Sequence, residues 1–159
     1  KKGWKLIDPG SAAGLDGSIA KASDSGEPWF GYYWNPTSMV GKYNLQPVDF
    51  GVPFAGRDNW DNCITLAEQD CASPKPTAWT KSEVNSIVSA NFAKTGGKDV
   101  LSYVEKRTYP GTVMNGMLVY MADNQAKGSD AAVEFLIKHE DVWTKWVSSD
   151  AAKKIKKSL

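Results

Sequence analysis

Trp29, Phe30, Tyr32, Tyr33 and Trp34 place five aromatic rings within eight residues, and the run closes on Asn35-Pro36. Each ring face is the negative pole of a quadrupole. Rings converging on one point therefore attract a cation too bulky and weakly hydrated to favour a carboxylate, such as a quaternary ammonium. The competing explanation is that the rings are core residues of a buried strand, which would suit any one of them. Their density favours a binding site. Nothing comparable exists for covalent chemistry. His139, the only histidine, stands in Lys138-His139-Glu140-Asp141 at the end of a predicted helix, where it reads as a cap or surface residue, not a general base. No nucleophile elbow, Walker loop or dinucleotide fingerprint appears. The turn Gly10-Ser11-Ala12-Ala13-Gly14 offers amides to an anion, but helix capping explains it without a ligand. The acid pairs Asp58/Asp61 and Glu140/Asp141 fall in loops or on solvated faces. The expectation is a protein that is not an enzyme, with no cofactor and no metal site.

Cys63 and Cys71 sit eight apart in a stretch of polar and turn residues. Two thiols alone cannot build a structural zinc site, and His139 is remote in sequence. A local disulfide is the economical reading and points to an oxidising compartment; free buried cysteines in a cytosolic protein are the alternative.

The elements that must position these residues follow from pattern and punctuation. The 159 residues, 42% hydrophobic and 23% charged, suit one ordinary domain with a real core. A net charge of +1 with both signs interspersed leaves no footprint for nucleic acid. The one basic run, Lys153-Lys154-Ile155-Lys156-Lys157, reads as a helix end. No apolar run approaches the ~20 residues needed to cross a bilayer. The start at Lys1-Lys2-Gly3-Trp4, already near a strand pattern, reads as a processed or truncated product.

Residues 4–7 read as a strand. Ser11 then caps a helix through Ala12, Ala13, Leu15, Ile19 and Ala20, which Gly26-Glu27-Pro28 ends. The aromatic strand follows at once, giving strand–helix–strand, the unit of a parallel sheet. Residues 45–50 form a short edge strand because Pro47 lacks an amide donor. Residues 51–80, with Pro53, Pro74, Pro76 and both cysteines, form a long irregular connection. Residues 84–88 offer one more strand. Beyond them the periodicity is helical, with shared faces Val100/Tyr103/Val104, Val113/Met114/Met117/Leu118/Met121 and Val133/Leu136/Ile137. Ser149-Asp150 caps a terminal helix.

Two stretches, Trp4 through Asp16 and Gly26-Glu27-Pro28-Trp29-Phe30-Gly31-Tyr32-Tyr33-Trp34-Asn35-Pro36, resemble the glycine betaine/proline betaine-binding proteins of bacterial ABC importers. The tail Asp123 through Gly128, and His139 through Val147, is similar to the C-terminal helices of that family. The resemblance implies an α/β fold, part of a two-lobed type II periplasmic-binding-protein architecture. It implies a periplasmic receptor, or an extracellular one held at the membrane. Such a receptor closes over a quaternary amine and delivers it to a permease in the membrane, as in osmoprotection. The tryptophan of the Trp-x-Pro element, Trp34 here, is then one wall of an aromatic box around the trimethylammonium. Tyr32 or Tyr33 contributes beside it; strand alternation puts Tyr32 on the side of Trp34 and turns Tyr33 away unless the strand bends.

Members of the family run to about twice this length, in keeping with two domains of ordinary size. On that footing residues 1–56 are the remainder of the second lobe, 57–80 a crossing loop with its disulfide, and 81–159 a mostly helical segment returning to the first lobe. Half a box binds weakly, since one exposed cation–π wall contributes only ~0.5–1 kcal/mol. A sheet without its partner strands exposes edges and favours self-association. Two alternatives stay open. Trp and Tyr platforms also stack on sugars, as in carbohydrate-binding modules, although those are commonly all-β. The aromatics could also be the core of a structural segment with no ligand.

Overall fold

The computed structural model describes residues 3–80 and 82–159. Lys1 and Lys2, where the sequence reads as starting inside a fold, and Lys81, first residue of the expected third segment, lie outside them. The chain forms two compact units: residues 1–46 with 88–159, and residues 47–87.

In the first unit, Ser11 takes an extended φ of −162° and its Oγ accepts the Gly14 N–H at 3.0 Å, so α1 (Ala12–Asp24) begins where the capping residue dictates. The helix buries Ile19 and Ala22, and Gly26 at φ +67° follows its end. The short α2 (Ser38–Lys42) is capped in the same way by Thr37, whose Oγ1 accepts the Val40 N–H at 3.2 Å.

The helical half of this unit runs α4 (Ala90–Thr95), α5 (Lys98–Lys106), α6 (Gly111–Asn124), α7 (Gly128–Lys138), α8 (Glu140–Trp143) and α9 (Ser149–Ser158). The core gathers Phe135, Val142, Trp143, Trp146 and Ala152, with Tyr103, Val113, Met117 and Ile155 packed around them. Trp143 is only 2% exposed, and its indole N–H donates to the Leu136 carbonyl at 2.8 Å. Phe135 stacks on Trp146 at 5.5 Å. This contact decides the rotation of α7. The face expected from Val133, Leu136 and Ile137 leaves Val133 and Ile137 exposed, while Ala131 and Phe135, one turn apart, are buried. The cap of α9 is Ser148, one residue before the expected Ser149, and its Oγ accepts from the Ala151 N–H. His139 ends α7, with its ring stacked on Phe135 at 5.6 Å.

In the second unit, α3 (Arg57–Asn59) runs into a π-helical turn, Trp60–Ile64. Trp60 is buried against Phe54 at 6.1 Å and, edge-on, Trp79 at 5.0 Å. The buried Asn59 amide grips Lys75 at both ends, accepting its N–H at 3.1 Å and donating to its carbonyl at 3.3 Å. Cys63 and Cys71 are joined by a disulfide, with Cα atoms 4.7 Å apart. The expected irregular connection thus contains a small core of its own.

The strand–helix–strand start is not confirmed by the structure. Among the described residues there are helices and irregular segments but no strand. Residues 4–7, 29–35, 45–50 and 84–88 have β-type composition, yet no ladder pairs them. A strand is stabilised by its cross-strand neighbours, and its propensity expresses that packing, not a backbone preference. Leu6, Val84 and Ile87 are almost wholly exposed, so these segments have no facing surface to cover them.

Candidate ligand-binding site

The aromatic run is held by side chains, not by a sheet. Trp29 folds back so that its Nε1–H donates to Ser18 Oγ on α1 at 3.0 Å, and Ser18 in turn donates to the Leu15 carbonyl. A Cβ at position 31 would lie 2.7 Å from the Trp29 ring, so Gly31 is what lets that ring cross the backbone. Phe30 tilts against Trp4 at 5.7 Å.

Tyr33 is half-buried and its hydroxyl donates to Asp16 Oδ1 on α1 at 2.5 Å. Burial, then the hydrogen bond and negative charge of Asp16, push its phenol up to about 12, against a smaller opposing contact from Thr37. Trp34 lies nearly parallel to the Tyr33 ring, 12° between planes and 5.0 Å between centroids. Tyr32 stands at 49° to the same indole, 6.2 Å away. The Asn35–Pro36 peptide is cis. Immediately after it, the Thr37 N–H donates to Asn115 Oδ1 of α6 at 3.0 Å. α2 then lies along α6, with Gly41 against Val119 and Asn115 and Lys42 paired with Asp123 at 3.0 Å.

All three candidate residues are therefore together, but not by alternation along a strand. Tyr33 does not turn away; it backs the indole, and Tyr32 forms a corner with it. Trp34 and Tyr32 remain 53% and 56% exposed. An exposed indole face beside a tilted phenol, with a phenol stacked behind, is chemically a cation–π platform. Sequence reasoning missed Asp16, Ser18 and Asn115, which fix it. Their one signal is a polar side chain beside apolar helical neighbours, as with Asn115 between Met114 and Met117.

The family model for the substrate-binding domain of ABC-type glycine betaine transport systems matches residues 1–138. The chain belongs to this family. The match spans α1 to α7 and includes the whole aromatic run. It stops before His139, so the likeness read over His139 to Val147 falls outside the matched residues. No curated protein and no solved structure matches the chain significantly. The family's fold is that of periplasmic binding proteins, and its role is to bind substrate outside the cytoplasm for an ABC importer, not to catalyse a reaction. Among the described residues no helix is long and apolar enough to cross a membrane.

Proposed function

We propose that the chain is a receptor for glycine betaine-like quaternary amines and presents Trp34 to the trimethylammonium group as one wall of an aromatic box. The observation that carries this reading is the Tyr33-backed, solvent-facing indole of Trp34, with Tyr32 tilted beside it, in a chain of this family. Tyr32 supplies a second ring face; Tyr33 supports the first. Released ligand passes to the membrane permease. Residues 1–56 belong to the second lobe, 57–80 to the crossing and 81–159 to the segment returning to the first lobe. Exposed apolar segments at residues 4–7 and 84–88 favour self-association.

The test is calorimetric titration of the chain with glycine betaine, before and after Trp34→Ala. A single cation–π wall contributes ~0.5–2 kcal/mol, so affinity should fall about 2- to 30-fold. An unchanged affinity would remove Trp34 from the site. A sugar raising the melting temperature where the amine does not would favour stacking on carbohydrate.

A further inference from the structure

We propose that Asp16 is a specificity-determining residue behind the aromatic platform, biasing it toward ligands with a cationic head group over ligands of the same shape whose head is uncharged. The inference rests on the reading of Trp34 as a ligand wall.

Asp16 sits half-buried on α1 and receives the Tyr33 hydroxyl at 2.5 Å. The Tyr33 ring in turn covers one face of Trp34, 5.0 Å away and nearly parallel. Carboxylate, phenol and indole thus form a chain of contacts, the carboxylate at the hydroxyl edge of the phenol and the phenol stacked on the exposed indole of Trp34. Two effects run along it. A phenol donating to a carboxylate is polarised, which makes its ring, and the potential it presents through the indole, more negative toward a cation. The carboxylate also places a full negative charge on the side opposite the ligand. Among the described residues no ion pair neutralises it; the Lys and Arg pairs go to Asp123, Asp61, Asp150 and Glu140.

Stacking and shape serve a cation and its neutral isostere alike, so the charge is what separates them. At roughly 10 Å and low ionic strength, with an effective dielectric between that of a protein surface and that of water, one charge acting on another changes affinity about three- to tenfold. The range is close to a Debye length at physiological salt, so the preference weakens as salt rises.

The experiment titrates the chain with choline and with its neutral carbon isostere, 3,3-dimethylbutan-1-ol. The variants are Asp16→Asn, Tyr33→Phe and Trp34→Ala, with folding checked by circular dichroism. Asp16→Asn keeps an acceptor for Tyr33 and removes the charge. At low salt it should weaken choline about three- to tenfold, leave the isostere within about twofold, and erase the salt dependence of the choline preference. Tyr33→Phe keeps the charge and loses the hydrogen bond, so it should lower the choline-to-isostere ratio less than Asp16→Asn does. Equal weakening of both ligands by Asp16→Asn would show a structural role only and overturn the proposal. An unchanged ratio with choline binding lost in Trp34→Ala would overturn it and leave the site reading intact. Choline binding indifferent to Trp34→Ala would overturn the site reading and this proposal with it.

Discussion

Tyr33 is held protonated by its surroundings, and the consequence is measurable at high pH. Its phenol is pushed up to about 12 by burial and by the Asp16 carboxylate. In the unfolded chain a phenol gives up its proton near ~10. Between those values the unfolded state has lost a proton that the folded state keeps. The contribution is fully present below pH ~10 and disappears as pH rises toward 12. Denaturant melts across this window should show a falling stability that Tyr33→Phe flattens. Gly31 supplies a second residue-scale expectation. With Trp29 ring atoms 2.7 Å from where a Cβ would sit, Gly31→Ala forces the indole off Ser18. Overpacking of this kind costs about 1–3 kcal/mol, to be read from urea melts. A gain in stability would mean that the Trp29 ring gives way freely.

The decisive junction between elements is that of α2 with α6. Asn115 closes the Thr37 N–H, and Gly41 lets the short helix approach until a Cβ would stand 2.9 Å from Val119. Asn115→Ala removes the acceptor from a half-buried amide and should cost about 1–3 kcal/mol in equilibrium unfolding. It should also loosen the turn that follows Trp34, visible as faster amide exchange at Thr37. Helices were legible wherever capping and period agreed: Ser11 opens α1, and the Val113, Met114, Met117, Leu118 and Met121 face of α6 is half-buried throughout. The α7 face was not, because Phe135 could be chosen over Val133 and Ile137 only by knowing that Trp146 arrives from beyond α8. The expected strands are not seen among the described residues for a related reason. Their composition expresses a preference for neighbours that the described chain does not bring to them.

Each of the two units has buried packing of its own. In the larger unit, Trp143 and Trp146 seal α7 against α9, although the chain spreads its aromatics thinly there. Trp143→Ala should cost about 3–5 kcal/mol and melt the C-terminal helices, a loss to be followed by far-UV circular dichroism. In residues 47–87, the bridge between Cys63 and Cys71 spans eight positions. By the loop-entropy argument a closure of this size contributes about 2–3 kcal/mol. Reduction should therefore raise hydrogen exchange around Trp60 while leaving α5 to α9 protected; exchange rising equally everywhere would contradict two independent units. The candidate site was legible as a local run of rings. What holds it was not, because Asp16 lies 17 residues before Tyr33, and Asn115 lies 78 residues after Thr37.

That last separation bears on the order of assembly. A contact closing so long a stretch of chain carries a loop entropy that local helices do not, so it forms after them. α1 and its hold on Tyr33 can be in place early. The turn beyond Trp34 stays untied until α6 exists to receive it. At synthesis rates of roughly 5–20 residues per second, the lag between the appearance of Thr37 and that of Asn115 is about 4–16 s. In refolding, substitutions at Asn115 should accelerate unfolding and leave the folding rate nearly unchanged.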